Sequence, residues 1–302
     1  MRAREITTRC GYVALIGAPN AGKSTLLNQL VGRKLAIVTP KVQTTRSRLL
    51  GIAIEDSAQL IFVDTPGIFA PRRRLDRAMV AAAWAGAADA DQVVLLIDAA
   101  RPDDPDARRI VDQLAASKRR AILALNKIDL VRRDTLLALA DRLFAGGGFE
   151  RVFMISGQTG DGVTDLKQHL ASLMPPGPWL FPEDQLSDAQ ERWLAAEVTR
   201  EQVFLQLHDE LPYAASVETE AWEERRDGSV RIDQVVYVRR AGQRAIVLGD
   251  KGQRIKTIGA RARAELEKLL DRRVHLFLFV KVRDNWIEDP ERYAAIGLDY
   301  NV

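Results

Sequence analysis

The segment Gly17-Ala18-Pro19-Asn20-Ala21-Gly22-Lys23-Ser24 limits what this chain can fold into more than any other. It matches G-x-x-x-x-G-K-[ST] and lies between an apolar run at 12–16 and a stretch of helical spacing at 24–31. Glycines let the backbone turn tightly, so that successive N–H groups face phosphate oxygens, and the helix N-terminus adds partial positive charge. In such a loop Lys23 reaches the β- and γ-phosphates of a nucleotide and Ser24 holds Mg²⁺. Ala18, Pro19, Asn20, Ala21 and Thr25 line the same cradle. An ordinary glycine turn would require neither the strand before it nor the helix after it.

Up to about residue 173, apolar runs alternate with amphipathic stretches. Tyr12–Gly17, Arg48–Ile54, Leu60–Asp64, Val93–Asp98, Ala121–Asn126 and Val152–Ser156 are mostly continuous in Val, Ile and Leu. Strands covered on both faces read this way. Helical spacing fills 24–31, 75–87, 107–117, 135–144 and 163–173. The alternation predicts an α/β domain over 1–173, a mostly parallel six-stranded sheet with helices on both faces, its functional loops at the carboxyl ends of the strands.

Two further motifs fall at such strand ends. Asp64-Thr65-Pro66-Gly67 follows LIFV. A carboxylate there can hold Mg²⁺ through water while the Gly67 N–H approaches a γ-phosphate. Asn126-Lys127-Ile128-Asp129 follows AILAL. Asp129 can accept two hydrogen bonds from guanine N1–H and N2–H₂, where adenine offers neither donor and would leave the carboxylate unpaired. Lys127 can lie across the base and Asn126 can tie the loop together.

With these three motifs in order, residues 1–173 resemble a translation-factor-related small GTPase domain. The resemblance implies GTP and GDP as ligands, Mg²⁺ as cofactor, and a switch threonine on the metal. KVQTTRSR at 41–48 supplies that residue as Thr45, with Thr44 the competitor, so that Ser24, Thr45 and Asp64 form the metal set. It also implies a base-contacting loop after the sixth strand, here Ser156-Gly157, with Gly157 where the family usually has Ala. Ras-like switches place a water-positioning Gln after the glycine of the second motif. Ile68 stands there and can do no such work, so slow intrinsic hydrolysis is expected. In the subgroup with P-N-x-G-K-[ST], the residue matching Asn20 helps bind K⁺ beside the phosphates. The catalytic set is then Lys23, Thr45, Gly67 and Asn20.

MPPGPW at 174–179 cannot continue a helix, so 174–186 reads as a Pro-rich linker, with Ser187 as N-cap of an acidic helix opening a second domain over 187–302. Runs 215–224 and 230–239 flank RRDGS, a hairpin signal. Residues 244–248 read as a strand leading into a G-x-x-G turn, Gly249-Asp250-Lys251-Gly252, followed by a basic helix at 253–271 and a strand at 274–282. Such a turn lets a nucleic-acid backbone approach a helix N-terminus, with Lys251, Arg254 and Lys256 adding charge.

The formal net charge of the 302 residues is only +3, but its distribution is uneven. Residues 248–283 carry ten Lys/Arg against four Asp/Glu, and the rest of the chain after 173 carries nine against nineteen. That contrast fits either a focused polyanion site or chance clustering on a solvated surface.

The order helix–strand–strand–helix–strand around G-x-x-G resembles a type II KH domain, an α+β RNA-binding fold. Together with QTTR and the ending VHLFLFVKVRDNW, the whole chain resembles the Era family of GTPases. That resemblance implies a monomer that binds single-stranded RNA at the 3′ end of 16S ribosomal RNA and assists assembly of the 30S subunit. It further implies a cytoplasmic location with a fraction peripheral at the inner face of the cell membrane. The alternative is a nucleotide-regulated RNA chaperone whose GTP site is mainly structural; an ATP-driven remodeller is disfavoured by NKID.

Other features carry less. One cysteine, Cys10, excludes an intramolecular disulfide and fits a reducing compartment. His169, His208 and His275 are dispersed without metal-ligand spacing. Trp179, Trp193, Trp222 and Trp286 read as packing anchors, and RRRLDR at 72–77 as a mobile switch segment whose arginines are solvated or contact RNA. No apolar stretch reaches the roughly 18 residues of a membrane span.

Overall fold

The continuous Val, Ile and Leu runs become strands with side chains buried on both faces. β1 (Arg9–Gly17), β2 (Leu49–Glu55), β3 (Ala58–Asp64), β4 (Gln92–Asp98), β5 (Ala121–Asn126) and β6 (Phe149–Met154) form one sheet in the order β2-β3-β1-β4-β5-β6. Only β2 runs antiparallel, against β3. The computed structural model describes residues 8–41, 44, 45, 48–117, 119–146, 148–187, 189–208, 211–283, 290, 293 and 298–302. Gln43, Arg46 and Trp286, used in the sequence reading, lie outside them.

α1 (Lys23–Val31), α2 (Arg74–Asp89), α3 (Pro105–Ser117), α4 (Arg133–Gly146) and α5 (Val163–Leu173) cover the sheet. Ala83 and Ala87 of α2, Ile110 and Leu114 of α3 and Ala140 of α4 pack on Ile16, Leu95, Ile97 and Leu123. α1 and α5 contact each other and the β2–β3 side. β1 lies between β3 and β4, so crossovers leave it in opposite directions. This is where an open α/β sheet forms its ligand crevice.

Contacts divide the chain into two compact units. One comprises Met1–Ala36, Thr45–Asp188 and Ala294–Val302; the other comprises Ile37–Thr44 and Ala189–Tyr293. The stretch read as a linker packs within the first unit. Cys10 N donates to Pro175 O, and Gln59 Oε1 accepts from the N–H groups of Leu180 and Phe181. Trp179 Nε1 donates to Ser57 O at 3.1 Å, which anchors the indole as expected.

The second unit contains α6 (Glu191–Gln206), β7 (Ser216–Glu224), β8 (Val230–Val238), α7 (Ala241–Leu248), α8 (Gln253–Leu270) and β9 (Val274–Val282). β7 and β8 form the hairpin signalled by Asp227-Gly228, and β9 joins β8 in parallel. α6, α7 and α8 bury Val203, Val247, Ile258 and Leu266 with Ile232, Val236 and Val238 of β8.

Two sequence expectations are corrected here. Residues 244–248 are helical, not a strand. Gln243 Oε1 accepts the Arg239 and Arg240 N–H groups and caps α7, which overrides the β-propensity of Ile246-Val247. The order is therefore helix–strand–strand–helix–helix–strand. Ser187 does not cap α6, which begins at Glu191. Its hydroxyl donates instead to Leu50 O at 2.7 Å, and Ser187 bridges to Gly51 of β2. A helix-capping residue and a strand-pairing residue look alike in a polar stretch.

Candidate nucleotide site and nucleic-acid interface

β1 delivers Gly17 to the sheet's carboxyl edge, and the loop turns back into α1 through residues in left-handed conformations. Asn20 has φ 63° and Gly22 has φ 97°. A Cβ on Gly22 would lie 2.2 Å from Asn126 Nδ2, so only glycine lets the two loops meet. Lys23 is 6% exposed and donates to Gly17 O and Ala18 O, both at 3.1 Å. Burial lowers its ammonium pKa to about 8, against the opposing pull of Asp64. An anion in the loop would give this buried charge a partner.

Ser24, Thr45 and Asp64 converge on one point. Ser24 Oγ donates to Asp64 Oδ2 at 2.8 Å and lies 2.9 Å from Thr45 Oγ1, which is 3.3 Å from the same carboxylate oxygen. Thr44 turns elsewhere, its hydroxyl bonded to Thr39 Oγ1 and Lys41 O. Burial raises the Asp64 pKa, opposed by Lys23 and the two hydroxyls. Asp64 Oδ1 is buried and has no hydrogen-bond partner among the described residues. An orphaned carboxylate oxygen beside two hydroxyls is an all-oxygen donor set that fits Mg²⁺.

The second motif continues from β3. Thr65 Oγ1 donates to Leu15 O, and after Pro66 and Gly67 the Ile68 N–H donates to Gly17 O at 3.1 Å. Ile68 is 2% exposed and its side chain belongs to the core with Ile16 and Ala83. It faces hydrophobic packing. In the following segment, Asp76 Oδ2 accepts the Arg72 and Arg73 N–H groups at the start of α2.

Asn126 joins three loops: Nδ2 donates to Ala21 O at 2.8 Å, and Oδ1 accepts the Gly157 N–H at 2.9 Å. Lys127, at φ 66°, sends Nζ to Asp98 Oδ2 at 2.7 Å. Asp129 lies exposed in the turn that follows. Ser156 is fully buried, its hydroxyl accepting the Thr159 N–H. Asp98 was missed in the sequence. Its signal was an acidic residue ending a buried strand, the same signal that singled out Asp64.

In the second unit the G-x-x-G turn sits between α7 and α8. Gly249 (φ 70°, ψ 179°), Lys251 (φ 47°) and Gly252 (φ 77°) make the reversal. Gly249, Asp250 and Arg254, with Gln206, Gln253, Thr257 and Arg261, line an open groove of about 370 Å³. Lys251 and Lys256 are exposed beside it, and Arg254 Nη1 donates to Ile246 O at 2.8 Å. A helix N-terminus flanked by Lys and Arg is suited to phosphates.

A six-stranded sheet with a phosphate loop, a buried acid at the end of β3 and NKID after β5 defines a P-loop GTPase, here carrying a helix-turn-helix G-x-x-G module. The comparisons agree. Residues 12–127 match the family model described as 50S ribosome-binding GTPase, and 210–287 match the KH domain. The chain is 58% identical over 298 residues to GTPase Era of Sinorhizobium medicae, covering 99% of this chain and 96% of that one. GTPase Era of Rhizobium meliloti is also 58% identical, with 99% and 95% covered. A single-residue variant of Aquifex aeolicus Era bound to GDP.AlF4⁻ superposes with a TM-score of 0.90 at 36% identity, covering 96% of this chain and 99% of that one. A structure of Era with MgGDPNP and nucleotides 1506–1542 of 16S ribosomal RNA matches with the same score, identity and coverage. The chain belongs to the Era family. It is a GTPase.

Proposed function

We propose that this GTPase binds single-stranded RNA at the 3′ end of 16S ribosomal RNA, that its nucleotide state gates that grip, and that it thereby assists 30S assembly. The observation that carries the reading is the full-length likeness to Era solved with MgGDPNP and 16S nucleotides 1506–1542. The groove at Gly249–Arg254 supports it within this chain.

In this reading the loop 17–25 and Gly67 cradle the phosphates, Asp129 selects guanine, and Lys127, Asn126, Ser156 and Gly157 complete the base pocket. Lys23 neutralises charge on the β- and γ-phosphates as water attacks and GDP leaves. Ser24, Thr45 and Asp64 would hold Mg²⁺, which supplies further charge neutralisation when bound. Hydrolysis frees the loop containing Thr45. Asn20 is the residue beside which K⁺ would sit. Gly249, Asp250, Lys251, Gly252, Arg254 and Lys256 contact RNA. We place the protein in the cytoplasm as a monomer, with a fraction at the inner membrane face. Among the described residues no helix is long and apolar enough to cross a membrane.

Titrating a 16S 3′-end oligonucleotide with the GTP-analogue and GDP forms tests the gate. Tighter binding to the analogue form is expected, and equal affinities would refute gating. A scrambled oligonucleotide bound equally well would refute the RNA assignment. Turnover by wild type but not Lys23→Ala distinguishes this reading from a merely structural GTP site.

A further inference from the structure

Ile37–Thr44 group with α6 in the second unit, although Thr45 belongs to the first. Three polar contacts tie this segment to α6 and to the residue that caps it. Glu201 Oε1 accepts the Val38 N–H at 2.8 Å, Lys41 Nζ donates to Leu207 O at the end of α6, and Arg200 Nη2 donates to Thr44 O at 2.5 Å. Arg200 is 3% exposed and Glu201 4%. Glu197, one turn earlier, takes Arg200 Nε at 2.7 Å and also accepts from Nη2.

Burying a guanidinium is costly, and apolar packing of the same volume is often as stable or more so. Here the charge meets one carboxylate, one backbone carbonyl and the face of the Phe204 ring, 5.1 Å from Cζ to the centroid, and Nη1 has no hydrogen-bond partner among the described residues. The arrangement therefore depends on Thr44 O staying where it is. That carbonyl shares a planar peptide unit with the Thr45 N–H. Fixing the carbonyl fixes the plane from which Thr45 leaves, and Thr45 Oγ1 is the hydroxyl beside Ser24 and Asp64. Six residues along α6 from Arg200, about 9 Å at the helical rise, Gln206 lines the groove of the G-x-x-G turn.

We propose that Arg200, oriented by Glu197, is a positioning residue that couples the Thr45 metal site to the RNA groove through the Thr44 carbonyl. The proposal rests on the gating reading above and names the element that transmits it. When Thr45 is held with the metal donors, Thr44 O satisfies Arg200 and α6 keeps the groove described here. When Thr45 leaves, Arg200 keeps Glu197 but loses its backbone acceptor, and α6 loses the restraint.

The test uses the full chain and the 16S 3′-end oligonucleotide, with RNA affinity measured in the GTP-analogue and GDP forms. Wild type is expected to bind at least about fivefold more tightly in the analogue form, the lower range of allosteric coupling. Arg200→Met keeps an apolar stem and is expected to bring that ratio within about twofold of unity while GDP affinity stays within about twofold of wild type. Glu197→Gln should give an intermediate ratio. A wild-type ratio retained in Arg200→Met overturns the coupling role and leaves gating intact; a ratio of one in wild type itself overturns gating and coupling together. If thermal unfolding shows that Arg200→Met is not folded, Arg200→Lys is measured the same way. It keeps the charge but not the fork that reaches both Glu197 and Thr44, so a wild-type ratio there overturns the proposal and a collapsed ratio supports it.

Discussion

Asn126 Nδ2 donates to the Ala21 carbonyl at 2.8 Å, so the base-selecting loop and the phosphate loop are held by one amide. The other end of that amide accepts the Gly157 N–H, and both contacts are buried. The loops proposed to hold guanine and the phosphates are therefore mechanically joined.

Asn126→Ala should accordingly weaken GTP and GDP alike. Two unsatisfied buried backbone groups at about 1–3 kcal/mol each predict a loss of at least about tenfold in affinity. Fluorescent-nucleotide titration checks this; a loss confined to GTP would mean that the amide does not join the loops in solution.

Asp98 holds Lys127 and is predicted to matter for nucleotide affinity and for acid stability. Desolvation raises the Asp98 pKa, but the hydrogen bond and charge of Lys127, with the Ala100 N–H and Arg101, lower it further, so the net shift is downward. A depressed carboxylate contributes stability above the ordinary carboxylate range and loses it as pH falls through the folded value. Asp98→Asn should be less stable than wild type at neutral pH, with the gap narrowing as pH drops below about 4. Denaturant melts across that window decide, and a gap independent of pH would contradict the assignment. Releasing the Lys127 amine should also cost about tenfold in guanine-nucleotide affinity, the low end for a charge-assisted hydrogen bond.

Gly157 is not a neutral replacement for alanine in this chain. An added Cβ would sit 3.2 Å from Leu26 N and 3.3 Å from Leu26 Cα, backbone atoms of the buried helix α1. Gly157→Ala should destabilise by about 1 kcal/mol, the low end of overpacking costs. Equal or higher stability in a thermal melt would show that the loop shifts freely.

The G-x-x-G turn allows a paired test. A Cβ on Gly249 would come 2.7 Å from Arg254 Cβ, whereas Gly252 has open space around it in an αL conformation that asparagine tolerates. Gly249→Ala should cost RNA affinity about tenfold through strain and a displaced Arg254, and Gly252→Asn far less. GTP turnover without RNA should be unchanged in both. Similar RNA losses for the two variants would count against the geometric argument.

Asn20 raises a separate question of rate. GTPase activity measured at equal ionic strength should be higher in K⁺ than in Na⁺, and Asn20→Ala should remove the difference. Equal wild-type rates would end the case for a K⁺ site.

Most of the first unit was legible because buried parallel strands print continuous apolar runs and each functional loop begins where a run ends. Asp64 and Asn126 stand at such ends. The second unit was harder to read. Ile246-Val247-Leu248 has strand composition but sits in a capped two-turn helix, and three apolar residues cannot distinguish the periods. Ser187 shows the same limit for polar residues. The pairing of Lys127 with Asp98, and of Thr44 with Arg200, spans 29 and 156 residues. Local spacing carries no trace of such distant partners.

Ile68 gives the position after DTPG a different history from its counterpart in Ras-like switches. Its side chain is a brick in the wall between β1 and α2, and its N–H is mortared to Gly17. Installing glutamine there would bury an amide among alanines and isoleucine instead of presenting it to water. A faster enzyme therefore lies beyond a single substitution at this position: the architecture has spent the residue on cohesion, and any accelerator must enter from outside it.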